Sequence, residues 1–317
     1  MTQQSGTLAE IGEFGLIEAI RPLFPQGAAV EVGPGDDAAV VSVPSGRVVL
    51  STDLLVEGRH FRRDWSSAED VGHRAAAANL SDVNAMGGRA DSAVVAFGGP
   101  ADLPVAWAVD LARGIADECT LVGASVVGGD VTASDAIVVS VTVLGSCAGP
   151  VVLRSGARPG DVVALCGRIG WSAAGWAVLA RGFRSPRVVV EAHRRPEPPY
   201  AAGPEAAAAG ATAMIDVSDG LLADLGHVAA ASGVAIDVRA GAFEIAEPLQ
   251  AVGAALGLDP VQFVLTGGED HALAATFPAD VALPAGWLTI GAVMEGSGVT
   301  VDGAAYDEVP PGHQHFR

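Results

Sequence analysis

Met214-Ile215-Asp216-Val217-Ser218-Asp219-Gly220-Leu221 is the stretch on which the reading of this chain turns. Met214 to Val217 has the apolar make-up of a buried strand, broken by one acid. Leu221 to Ala231 is rich in leucine and alanine and is followed by Gly233, the pattern of a helix and its stop. The stretch is therefore a strand-to-helix junction, with Ser218 or Asp219 expected to cap the helix. Backbone N–H groups and the helix dipole favour anions at such a place. An ordinary cap accounts for one acid and leaves the other over, and two acids there suit metal ligands for a phosphate.

Working outward, four more acidic clusters sit beside small or glycine residues: Gly35-Asp36-Asp37, Ser51-Thr52-Asp53, Asn79-Leu80-Ser81-Asp82 and Gly128-Gly129-Asp130. Adjacent carboxylates such as Asp36 and Asp37 repel unless a cation or hydrogen bonds compensate, although a plain turn also favours Asp and Gly. Ser51-Thr52-Asp53 reads as the end of a strand, with oxygens that face a cation or cap a turn. Asn79 and Asp82 are three apart and share a face of an alanine-rich helix. Gly128-Gly129-Asp130 reads as a loop after a strand, either a phosphate-approaching loop or a hairpin turn. Gly267-Gly268-Glu269-Asp270-His271 has the same character. Taken together, the acids suggest hard-cation coordination, which means Mg²⁺ and phosphate chemistry if they converge.

The bulk composition agrees. Of 317 residues, 50% are hydrophobic and 17% charged, enough for two domains with separate cores. Asp and Glu number 37 against 18 basic residues, a net charge of −19 that argues against nucleic-acid and anionic-membrane partners. All 18 basic residues are arginine. The lack of lysine excludes a Walker A loop, a kinase strand lysine and a Schiff base. Cys119, Cys147 and Cys166 form no Cys-x-x-Cys and read as buried core thiols in a reducing compartment. No signal-peptide pattern opens the chain, and apolar runs such as Ile137 to Leu144 are too short to span a bilayer. A cytoplasmic location is expected.

Strands and helices alternate through a mixed α/β (α+β) chain. The clearest boundary, Cys147-Ala148-Gly149-Pro150, predicts domains 1–149 and 150–317. Helices are expected over Ala68 to Met86, Pro104 to Val122, Ser172 to Leu179, Glu205 to Ala213 and Pro248 to Leu256. Arg184 to Tyr200, with four prolines and four arginines, reads as an irregular surface segment.

The ordered set Glu13-Phe14, Gly35-Asp36-Asp37-Ala38, Ser51-Thr52-Asp53, Gly58-Arg59-His60-Phe61, Asn79-Leu80-Ser81-Asp82, Ala85-Met86-Gly87, Gly128-Gly129-Asp130, Arg154-Ser155-Gly156-Ala157, Asp216 to Leu221 and Gly268-Glu269-Asp270 resembles the thiamine-monophosphate kinase family. That family belongs to the superfamily of aminoimidazole ribonucleotide synthetase and selenophosphate synthetase. The resemblance implies a two-domain aminoimidazole ribonucleotide synthetase-like fold that forms a homodimer through its N-terminal sheet. It implies ATP-dependent phosphorylation of thiamine monophosphate to thiamine diphosphate. Asp37, Ser51, Thr52, Asp53, Asp82, Asp130, Asp216 and Asp219 would hold several Mg²⁺ ions, with Asp37, Asp82, Asp130 and Asp216 central to catalysis. Gly129, Asp130, Arg154 and Ser218 would bind ATP, and His60 and Glu269 the thiamine substrate. The alternatives are another ATP-dependent enzyme of the superfamily and a non-catalytic nucleotide- or metal-binding paralogue. The chain departs from the family pattern at His271, where tyrosine is usual. It departs again at Pro310, the nearest match to a substrate-contacting aromatic, and at Gly312-His313-Gln314-His315-Phe316.

Overall fold

The computed structural model describes residues 6–32, 40–43, 46–306 and 312. Asp37, Pro310, His313 and Phe316 lie outside the described residues. The chain folds as two compact units divided between Ala148 and Gly149, with Asn84–Gly88 grouped with the second.

The first unit holds α1 (Leu8–Ile20), a small β1 (Val30–Val32) and β2 (Val40–Val41) pair, β3 (Val49–Val56), α2 (Ala68–Ala85), β4 (Arg89–Gly99), α3 (Val105–Val122), β5 (Ser125–Ala133) and β6 (Val138–Ser146). A left-handed Gly12, with φ 67°, interrupts α1. Four strands form a sheet in the order β3-β6-β4-β5, antiparallel except for the β4–β5 pair that α3 connects. In β6, Val139, Val141 and Val143 are buried, while Val138, Ser140, Thr142 and Leu144 on the opposite face are only partly covered. A strand with one face on the core must alternate in this way. The two helices touch backbone to backbone. A Cβ on Gly72 would fall 2.2 Å from the Leu111 carbonyl, and one on Gly114 would fall 2.1 Å from that of Glu69. This contact pins α2. Its buried Leu80 and Val83 each contribute about 2 kcal/mol of apolar burial and fix the rotation that presents Asp82 to the sheet.

The second unit holds β7 (Val162–Cys166), α4 (Trp171–Ala180), α5 (Arg187–Arg194), α6 (Ala202–Ala209), β8 (Ala213–Val217), α7 (Leu221–Ser232), β9 (Ala235–Val238), α8 (Glu247–Leu256), α9 (Pro260–Thr266), β10 (Ala272–Phe277), β11 (Trp287–Met294) and β12 (Gly298–Val301). Its sheet runs β12-β9-β11-β7-β10-β8. Phe277 and Trp287 meet edge to face at 5.4 Å in its core. Gly233, at φ 67°, ends α7 as its sequence predicts.

Three sequence expectations need correction. Ser51-Thr52-Asp53 does not end a strand, because β3 continues to Val56. Gly128-Gly129-Asp130 is no loop but the middle of β5. A Cβ on Gly129 would lie 1.9 Å from the Val95 carbonyl, so glycine is needed there for strand packing beside a register shift in the ladder. The Arg184 to Tyr200 segment contains α5, which buries Val189, Val190 and His193 and crosses α4 where Gly175 faces the Val189 carbonyl. Among the described residues, no single helix is long and apolar enough to cross a membrane.

Candidate functional site

In the first unit, strand alternation separates the three neighbouring donors on β3. Ser51 faces α2, where its Oγ donates to Asp82 Oδ2. Asp53, two residues on, shares that face. Thr52 is on the other side, where its Oγ1 pairs with Thr142 Oγ1 at 2.9 Å and donates to the Val141 carbonyl at 3.2 Å. The structure thus brings Ser51 and Asp82 together and turns the Thr52 side chain away from them. The ladder aligns Asp53 with Val141, Val95 and Gly129 in one row across the sheet. Three strand spacings put Asp130 roughly 14 Å from Asp53, too far to share one ion with it directly. His60 closes the turn after β3. Its Nδ1 accepts the Val56 N–H at 3.0 Å, which leaves the ring proton on Nε2.

In the second unit, Asp216 is buried at 3% exposure on β8, and His271 Nδ1–H donates to its Oδ2 at 3.0 Å. The 267–271 loop runs beside residues 217–219. The Glu269 N–H donates to the Ser218 carbonyl at 2.8 Å, and the His271 N–H to that of Val217 at 3.0 Å. Glu269 and His271 both take left-handed conformations, φ 67° and 54°, that non-glycine residues adopt at a cost. Between them Asp270 is buried, with Oδ1 accepting the Ser172 N–H at 2.8 Å at the start of α4. Burial pushes its carboxyl up to about 7, against the lowering pull of the Ser172 and Gly170 N–H groups, His271 and Arg168.

Neither Ser218 nor Asp219 caps α7 with its side chain. Gly220 holds the cap position, and the N–H groups of Ser218, Asp219 and Gly220 all donate to Asp224 Oδ2, at 3.0, 3.1 and 3.0 Å. Burial raises the Asp224 carboxyl to about 7, the Gly220 N–H lowers it, and Asp216 and Asp219 raise it further. Asp219, Asp224 and His227 each place one donor atom within 4.8 Å of the others. Arg154 lies elsewhere in the unit. Its carbonyl accepts Ser232 Oγ at the far end of α7. The length of α7, roughly 18 Å, separates its backbone from Ser218.

Two family models match, AIR synthase related protein N-terminal domain over residues 35–147 and the C-terminal domain over residues 158–282. A protein of Mycobacterium tuberculosis (strain ATCC 25618 / H37Rv) named thiamine-monophosphate kinase is 50% identical over 306 residues, which cover 96% of this chain and 91% of that protein. The chain belongs to the thiamine-monophosphate kinase family. Among solved members of that family, the crystal structure of thiamine-monophosphate kinase from Stenotrophomonas maltophilia K279a is 30% identical, with TM-score 0.81 over 93% of this chain and 98% of that one. AaThiL complexed with AMPPCP and TMP is 35% identical, with TM-score 0.81 over 97% of this chain and 98% of that one.

For a thiamine-monophosphate kinase family member, the donor chemistry fits a hard cation: a hydroxyl and a carboxylate in contact at Ser51 and Asp82, and a buried carboxylate beside Asp219 at Asp216. Sequence reading named His271 within the 267–271 cluster without its Asp216 partner, and did not single out Asp224. An acid in the first turn of a helix, four residues after the cap, was the available signal for Asp224.

Proposed function

We propose that this chain transfers the γ-phosphoryl group of ATP to the phosphate of thiamine monophosphate, forming thiamine diphosphate and ADP. The likeness over 97% of the chain to AaThiL complexed with AMPPCP and TMP carries the reading. The acceptor is a phosphate monoester with a second pKa of about 6, so near neutral pH much of it is dianionic and needs no general base. That suits a chain whose clusters are acidic. The difficulty is electrostatic. Two unit charges about 4 Å apart repel by roughly 4 kcal/mol at an effective dielectric of 20.

Asp53, Asp82 with Ser51, Asp130, Asp216 and Asp219 would hold Mg²⁺, together with Asp37 outside the described residues. Bound Mg²⁺ supplies the positive charge that lets two phosphates approach in line. Ser51 fixes the Asp82 carboxylate and His271 fixes that of Asp216, so the donors are set before substrate arrives. The Nε2–H of His60 and the carboxylate of Glu269 are the groups we assign to the thiamine substrate. Gly129, Arg154 and Ser218 are those we assign to ATP. The net charge of −19 supports a protein without nucleic-acid partners, and three buried free cysteines support a reducing, cytoplasmic setting.

We also propose a homodimer formed through the first unit's sheet. Leu50 and Leu54, exposed by 63% and 50% on its uncovered face, support it.

The test is ADP release with ATP and Mg²⁺, comparing thiamine monophosphate, thiamine and an aminoimidazole-ribonucleotide precursor. Turnover with thiamine monophosphate alone is expected. Turnover with the precursor instead, or with none of the three, would overturn the assignment.

A further inference from the structure

A strand-to-helix turn with three consecutive N–H groups pointing inward is built to receive an anion, and in many nucleotide-binding proteins that anion is a phosphate. Here the chain supplies its own. Asp224 Oδ2 accepts from Ser218, Asp219 and Gly220 at 3.0, 3.1 and 3.0 Å, and the residue is 2% exposed. Gly220 reaches this geometry at φ 136°, ψ 145°, a region open to glycine. The loop is clamped from its other side by the Glu269 and His271 N–H groups on the Ser218 and Val217 carbonyls. A Cβ on Gly268 would fall 2.2 Å from the Ser218 carbonyl, so the two loops are in direct contact. Residues 218–220 thus have their backbone donors filled by Asp224, and the Val217 and Ser218 carbonyls are filled by the neighbouring loop, while the side chains of Ser218 and Asp219 stay available to a ligand.

We propose that Asp224 is a positioning residue for the nucleotide–metal site. By occupying the N–H cradle permanently it denies that cradle to phosphate, and it holds Ser218 and Asp219 in the arrangement that receives the metal-bound nucleotide. Phosphate recognition at this junction therefore runs through side chains and cations, with none through the backbone. The inference rests on the assignment of Asp216, Ser218 and Asp219 to that site. It also explains why an acid is needed inside a cluster already crowded with acids: three N–H donors converge on one point, and a single carboxyl oxygen accepts all three.

Hydrogen exchange of the peptide covering residues 217–222 in the whole protein, with and without Mg²⁺ and AMPPCP, tests this without reference to turnover. Slow exchange before any nucleotide is added, accelerated roughly ten- to hundredfold in Asp224→Ala, is expected. Fast exchange that slows only when nucleotide binds would overturn the proposal, since the cradle would then be open to phosphate. Steady-state kinetics form the second arm. Asp224→Asn keeps an oxygen acceptor in place and should retain kcat and the KM for ATP far better than Asp224→Ala. The alanine variant, with its cradle emptied, should become sensitive to inorganic phosphate as an inhibitor. If both variants fold and match the wild type in KM, kcat and phosphate sensitivity, Asp224 does not position the site. Absence of thiamine monophosphate turnover in the wild type would instead count against the proposed function and leave the exchange result standing.

Discussion

His271 Nδ1 lies 3.0 Å from Asp216 Oδ2, with both side chains buried. The imidazole helps compensate a carboxylate taken out of water, and its left-handed backbone is held by the N–H bond to the Val217 carbonyl.

Replacing His271 by leucine removes that compensation and leaves Asp216 buried without it. In urea denaturation without divalent cations, His271→Leu is expected to lose about 3 kcal/mol of stability. Saturating Mg²⁺ should restore part of the loss if Asp216 is a ligand. An unchanged unfolding midpoint without Mg²⁺ would show that the pair does not hold the carboxylate.

Ser51→Ala removes one hydrogen bond to Asp82 without emptying a core position. The Mg²⁺ concentration for half-maximal activity should rise roughly tenfold, as when the partner orienting a ligand is lost. Thermal stability should change little. A variant with wild-type Mg²⁺ dependence would disconnect Ser51 from the metal.

Asp270 makes a pH prediction. Its carboxyl is raised by burial to about 7, while in the unfolded chain it titrates near its ordinary value of 3.8. Between those values the folded state binds a proton that the unfolded state does not. Stability therefore falls as pH rises across that window and levels off above it, with a slope of up to about 1.4 kcal/mol per pH unit. Asp270→Asn keeps an acceptor for the Ser172 N–H and lacks the titration. The wild type should lose stability relative to this variant between pH 5 and pH 8, as read by urea midpoints. Parallel pH profiles would contradict the buried-acid account.

The uncovered sheet face predicts the assembly state. Leu50→Glu with Leu54→Glu places two like charges on each copy's exposed strand, and light scattering should report a dimer for the wild type, as proposed, and a monomer for this variant. An unchanged dimer would move the interface elsewhere.

The periodic features were legible in the sequence because each is local. The strand-length apolar run Ile137 to Leu144, the glycine stop of α7 and the strand-to-helix junction at Asp216 all lie in runs of a few residues. What escaped depends on partners distant in sequence or on backbone. Gly129 looks like a loop glycine until the Val95 carbonyl is beside it. Asp224 bonds to the N–H groups of Ser218, Asp219 and Gly220, so its place among the first-turn acids of α7 was its one signal in the sequence. The rotation of Thr52 away from Ser51 follows from strand parity, which the expectation of a strand ending over Ser51-Thr52-Asp53 did not apply to these residues. The prolines of the 184–200 segment masked a helix that starts directly after one of them, Pro186, where proline does no harm.

The central claim is that one phosphoryl group passes from ATP to a phosphate acceptor. Phosphorus NMR of the purified protein with ATP, Mg²⁺ and thiamine monophosphate follows both products at once. The monophosphate singlet should be replaced by the paired doublets of thiamine diphosphate, with one ADP formed for each. ATP consumed to ADP and inorganic phosphate with the singlet unchanged, or no consumption at all, would contradict the account.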